Sequence, residues 1–85
     1  LPRIIVKDSA VAALAHGAPL LRPGLVSIPG DLSVGQNVLV TSIKGEAVCF
    51  VKVNFNSKDI STMEKGEIAR PSAVLIGDNV YPRRW

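Results

Sequence analysis

The stretch AVCFVKVNF, residues 47–55, limits what this chain can become more than any other segment. Apolar side chains recur at every second position, and only an extended strand puts such a set on one side. Ala47, Cys49, Val51, Val53 and Phe55 fall on the inward face and Lys52 and Asn54 on the outward one. Val38 to Ser42 is a second strand, and Lys44 with Gly45 supplies a tight turn between the two. The pattern is a hairpin that needs further elements to cover its apolar side.

Those elements are short. Arg3 to Val6 (RIIV) is a β-branched run that predicts a strand. Asp8 or Ser9 predicts a helix N-cap, since either side chain can accept from an orphan amide of the first turn. Val11, Leu14 and Ala15 give that helix one apolar face, and Gly17 ends it after about two turns. Leu20 to Ile28 predicts an irregular strand broken by Pro23 and Gly24, since a proline cannot donate to a central ladder and the stretch must be an edge, a bulge or a bend. Pro29, Gly30 and Asp31 mark a turn. Ser57 predicts a second N-cap with Asp59 near the positive helix end, Ile60 and Met63 facing inward, and Gly66 as the stop. Glu67 to Arg70 and Ala73 to Ile76 are expected as separate short strands, followed by a turn at Gly77, Asp78 and Asn79. The order is β, α, several β, α, β. About six strands and two short helices predict a mixed β fold closed as a small barrel, because closure removes exposed sheet edges.

Size argues against an enzyme. A single domain of 85 residues buries only about 60% of its unfolded surface, which leaves room for one modest core. No phosphate loop, paired-carboxylate site or nucleophile with an evident base occurs. Asp8 is read as a cap, Asp59 as a helix-start residue, and Asp31 and Asp78 as turn residues. No metal-ligand cluster surrounds the single Cys49, which reads as a buried small hydrophobe rather than a reactive thiol. No catalytic residue, metal or cofactor is expected. Net charge is +3, a mild excess that suits an anionic partner. Placement says more: residues 70–85 carry Arg70, Arg83 and Arg84 against one acid, Asp78. The opening LPRIIVKD has no signal-peptide layout and no apolar run reaches the ~18 residues of a membrane span. A soluble intracellular protein without a membrane partner is expected. The start at Leu1 rather than Met suggests a fragment or processed chain.

Three segments carry a likeness to a known family: KDSAVAALAHGAPLLRPGL (residues 7–25), TSIKGEAV (residues 41–48) and the ending YPRRW (residues 81–85). Together they resemble the PUA domain of the dyskerin family, the catalytic subunit of H/ACA ribonucleoprotein pseudouridine synthases. The AHGA form is similar to archaeal members, and VNFNSKDISTM departs from the family pattern without touching the expected RNA face. The resemblance implies one PUA RNA-binding domain over residues 1–85, folded as a PUA pseudobarrel. It implies a cytoplasmic location in an archaeon, or a nucleolar one in a eukaryote. Its implied partners are H/ACA guide RNA, the catalytic domain of the same polypeptide and the other ribonucleoprotein subunits. In that family the domain grips the lower stem and single-stranded ACA end of the guide RNA. Here the gripping residues would be Lys7, Ala15, His16, Gly17, Ala18, Pro19 and Leu20, then Tyr81, Arg83 and Arg84.

Each assignment has a plain structural counterpart. Unpaired bases are read by splaying them out, packing them on side chains and bonding their edges. Gly17 lets a base or phosphate approach the backbone, or simply closes the helix. His16 bonds or stacks on a nucleotide, or is structural. Ala18, Pro19 and Leu20 form a small apolar wall, or an ordinary strand start. Lys7, Arg83 and Arg84 contact phosphates, or are solvated surface, and Arg22 and Arg70 are weaker candidates for the same basic face. Tyr81 and Trp85 stack on bases, or pin the final strand to the barrel, which is the favoured reading for Trp85. Two rival functions accompany this reading: the PUA domain of another RNA-modifying enzyme, such as a tRNA pseudouridine synthase or archaeosine transglycosylase, and a protein-docking barrel with a basic end.

Overall fold

Two strands that are neighbours in sequence stand at opposite edges of one sheet, and this shapes the whole molecule. The computed structural model describes residues 2–75. In chain order they form β1 (Arg3–Val6), α1 (Asp8–Ala15), β2 (Leu20–Leu21), a single 3₁₀ turn (Arg22–Gly24), β3 (Leu25–Ser27), β4 (Asn37–Ser42), β5 (Ala47–Val53), α2 (Ser57–Thr62) and β6 (Glu67–Val74). The sheet order is β2-β6-β5-β4-β1-β3. Only Arg22–Gly24 separates β2 from β3, so the sheet must curl until its two edges nearly meet. A six-stranded curled half-barrel with two helices results, in keeping with the mixed β barrel expected from the element order and the pseudobarrel implied by the resemblance.

The Arg22–Gly24 bridge between the edges is anchored on both sides, by bonds that continue the β1–β3 and β2–β6 ladders and by one to α2. The Lys7 amide donates to the Gly24 carbonyl at 2.9 Å, and the Arg22 amide to the Gly66 carbonyl at 2.8 Å. Arg22 Nε donates to the Ile60 carbonyl at 3.1 Å, tying the end of α2 to the same turn. Arg22 is thus a fastening. A guanidinium at the negative end of a helix is also favourably placed.

The core lies inside the curl. Ile4, Val6, Val11, Leu14, Leu20, Val40, Val51, Ile60 and Ile68 are almost wholly withdrawn from solvent. β1 pairs with β4 in parallel, and the other pairs are antiparallel. Alternation in β5 holds from Val51 onward but slips earlier. The ladder shifts between Val40 and Thr41, so that Cys49 faces Val40 while Ala47 faces Thr41. Val48 is the extra residue, and it is buried where Ala47 is exposed. A bulge flips the faces of the residues beyond it, which reverses the expected inward Ala47. Phe55 lies beyond the strand end yet packs against the core.

Other local differences lie at helix caps and strand ends. Asn56 rather than Ser57 caps α2, its Oδ1 accepting from the Asp59 amide at 2.8 Å. Ser57 is buried instead: its Oγ accepts from the Leu32 amide and donates to the Pro29 carbonyl, each at 2.7 Å, holding the turn below the barrel. Lys7 occupies the N-cap position of α1 without a side-chain bond, and Asp8 is the first helical residue. α2 stops at Thr62, and Gly66 (φ +103°) serves the turn into β6 rather than the helix end. The two strands expected after it are one, Glu67–Val74. Its ladder slips where Val51 faces Pro71 and Phe50 faces Ala73, absorbing the missing proline donor in a bulge. The turn at Gly77–Asn79 and the end of the strand at Ile76 lie outside the described residues.

Candidate nucleic-acid interface

The first helix ends in a way its sequence dictates. Gly17 adopts φ +87°, a region costly for residues bearing a Cβ. Its amide donates to the Leu14 carbonyl and that of Ala18 to the Ala13 carbonyl, both at 3.0 Å. These are the two bonds of a Schellman closure, which satisfies carbonyls that the last turn would leave open. A Cβ built on Gly17 would meet nothing within 4 Å. The glycine therefore closes the helix and also leaves bare backbone open to approach.

α1 then lies across the seam. Gly24 presses on it so closely that a Cβ there would stand 2.9 Å from the Ala10 Cβ. Between helix and seam runs a shallow, largely apolar groove of about 280 Å³, lined by Ser9, Ala10, Ala13, Ala18, Pro19, Leu21, Pro23 and Gly24. It extends from the first turn of α1 to the segment just beyond its end. Lys7 stands at one end of the helix and His16 and Gly17 at the other, all three exposed. Nine residues at ~1.5 Å each set them about 13 Å apart. That span matches about four nucleotides of stacked strand at ~3.4 Å each.

Of the residues expected to touch RNA, Lys7, His16, Gly17, Ala18 and Pro19 gather along this groove or at its ends, and Ala15 is half-buried in the last turn. Leu20 does not join them. It is 1% exposed and belongs to the core, whereas Leu21 is 51% exposed and lines the groove. The alternation of β2 sends Leu20 inward, so the apolar wall is Ala18, Pro19 and Leu21. Tyr81, Arg83 and Arg84, with Trp85, lie outside the described residues. Arg70 is held by Glu67, whose carboxylate accepts from Nε at 2.7 Å and Nη2 at 3.1 Å. Ser9, Ala10, Ala13, Pro23 and Gly24 were not anticipated as a lining. The available signal was the alanine pair at helical spacing, Ala10 and Ala13, followed by the Pro23–Gly24 break.

Among the described residues no three or more of His, Cys, Asp and Glu stand together as a metal site. Cys49 is fully buried, and burial pushes its thiol up to about 11, far from a thiolate nucleophile. No helix of the described residues is long and apolar enough to cross a membrane.

Comparison with known proteins agrees with this fold. A protein named "Probable tRNA pseudouridine synthase B" from Methanococcus maripaludis is 41% identical over 85 residues, covering 100% of this chain and 26% of the relative. An H/ACA ribonucleoprotein complex subunit of Rattus norvegicus is 39% identical over 83 residues, 98% of this chain and 16% of its own length. A chain in the solved structure of an H/ACA ribonucleoprotein bound to a substrate RNA containing 2′-deoxyuridine superposes with a TM-score of 0.90 at 33% identity, over 100% of this chain and 27% of that one. The chain thus spans between a sixth and about a quarter of the proteins it resembles. The PUA domain model matches residues 2–75, the span that builds the curled sheet, the seam and the groove. With that match over most of its length, the chain belongs to the PUA domain family.

Proposed function

We propose that this chain, over residues 1–85, is the RNA-anchoring module of a guide-RNA-dependent pseudouridine synthase, and performs no chemistry itself. The observation that carries the reading is the groove beside α1. It joins an exposed lysine, an exposed histidine and bare glycine backbone across a span of a few nucleotides, in a chain whose relatives are pseudouridine synthases and H/ACA subunits. Apolar walls suit base faces, the open backbone suits base edges, and Lys7 suits a phosphate. Tyr81, Arg83 and Arg84 extend the same site in this proposal. The unpaired ACA end and lower stem of an H/ACA guide RNA are the ligand, with the catalytic domain of the same polypeptide and the ribonucleoprotein subunits as partners. The module's contribution is positioning, because reaction rate depends on holding target and catalytic group in register. The place of work is the cytoplasm in an archaeon or the nucleolus in a eukaryote.

Binding to a short hairpin ending in ACA, compared with the same hairpin with those adenines changed, tests this. Preference for ACA at several salt concentrations is expected, and equal affinities would remove the proposed specificity. The 41% identity to a protein named for tRNA pseudouridylation supports a second reading, a grip on tRNA. Competition between tRNA and the ACA hairpin separates the two, and tRNA winning would favour the second.

A further inference from the structure

The opposite side of the sheet carries a feature that the groove does not explain. Neighbouring strands place directly paired residues on one face, and three registers line up into one row: Arg3 beside Leu39, Leu39 beside Phe50, Phe50 beside Ala73. Val38, Val40, Val51 and Val53 point into the core, so this row points away from it. The next row reads Asn37, Lys52, Arg70. Phe50 is 37% exposed despite its central position in the sheet. Its β6 neighbour is only an alanine, which leaves the ring uncovered on that side.

Charge decides what such a face can meet. The two rows contain Arg3, Lys52 and Arg70 and no carboxylate. Glu67, further along β6, reaches Arg70, and Asn54 Nδ2 donates to it at 3.3 Å. Arg3 is exposed two strands across from Phe50, and Lys52 is exposed two residues along β5. With strands ~4.8 Å apart and ~3.3 Å per residue along them, Arg3 lies about 10 Å and Lys52 about 7 Å from Phe50. The Ser72 hydroxyl, shared between Asn37 Oδ1 at 3.1 Å and the Phe50 carbonyl at 3.3 Å, adds a polar group beside the ring. An aromatic face with cations nearby on the same surface suits unpaired nucleotides, which are held by stacking and phosphate contact.

We propose that the outward face of β4, β5 and β6, centred on Phe50 with Arg3 and Lys52, is a second contact surface for single-stranded RNA, separate from the groove along α1. A strand held in the groove and continuing round the barrel would meet this face on a sheet pleated to present one base-sized platform. The contact is sequence-tolerant, since every base has a π-face.

The test is an NMR titration of this chain with a short oligouridine, following the amides of Leu39, Phe50, Lys52 and Ala73, with Ser9, Ala13, Gly17 and Ala18 as reporters of the groove. Shifts at the first set are expected. Phe50→Ala should weaken them about fivefold or more, and Lys52→Ala or Arg3→Ala should flatten the salt dependence by about 0.7 in log–log slope each. Unchanged melting temperatures of the two cation variants establish that the fold is intact. No shifts at the first set overturn the proposal, as do shifts that survive all three substitutions. Concentration-dependent shifts at Phe50 without RNA overturn it in favour of contact between two copies of the chain. Because the reporters are separate, loss of the groove signal alone counts against the proposed function and not against this surface.

Discussion

The centre of the sheet and its seam are built on different physics. β4 and β5 are held by a dry apolar face, with Val38, Val40, Val51 and Val53 at most 2% exposed. The seam, from Ala18 to Gly24, buries Leu20 and little else. It depends on the Schellman closure at Gly17, the close approach of Gly24 to Ala10, and bonds that tie the Arg22–Gly24 bridge to Lys7, Gly66 and the Ile60 carbonyl of α2. Burial is non-directional and tolerates a bulge. The seam's bonds are directional, and they hold open the groove proposed to grip RNA. The centre supplies buried apolar area, and the seam lines the groove of the proposed site.

The comparison can be broken first at the centre. Ile4→Ala removes a fully buried side chain on β1 and should cost about 2–5 kcal/mol in chemical denaturation. RNA affinity per folded molecule should not change, and a matching loss of affinity would mean that centre and seam are not separable. The dryness of the centre has a second signature. The Cys49 thiol is raised from 9.0 to about 11, so folding disfavours its ionised form. Stability should be full below pH 9 and fall as pH rises through 11, by an amount on the order of 2–3 kcal/mol. The decline is expected to disappear in Cys49→Ala, and its persistence there would assign it to other groups.

At the seam, Gly24→Ala drives a methyl to 2.9 Å from the Ala10 Cβ and should destabilise by about 1–3 kcal/mol through overpacking. Adding Ala10→Gly should recover part of that loss, and strict additivity in the double-mutant cycle would show the contact to be unimportant. Gly17→Ala meets no steric obstacle but must hold φ +87°, at about 1–2 kcal/mol. If the bare backbone is also a contact, affinity falls beyond what the stability loss explains. Smallest is Lys7→Ala, which should leave melting unchanged and reduce the salt slope of RNA binding by about 0.7. An unaltered slope would detach Lys7 from the phosphate role.

Legibility follows the same division. The strands, the two short helices, the break at Pro23 and Gly24 and the stop at Gly17 were readable, since each follows from local pattern or backbone constraint. The burial of Leu20 was not foreseen because a two-residue strand is too short for its phase to show. Ser57 was misread because a serine before a helix suits a cap as well as a distant turn, and only the fold brings Leu32 and Pro29 within reach. The single strand through Pro71 was hidden for a similar reason. A proline reads as a break until a partner strand offers a bulge to accommodate it.

By itself the sequence determined which stretches are extended, which are helical and where glycine must interrupt them, because those choices rest on side-chain spacing and local sterics. The tertiary structure decided which strands pair. Several runs of similar hydrophobicity could serve as partners, and the parallel match of β1 to β4 is selected by the burial of all of them together. It also decided that β2 and β3 stand at opposite edges, so that three residues must bridge the curl. The groove exists because of that bridge, which no local pattern contains.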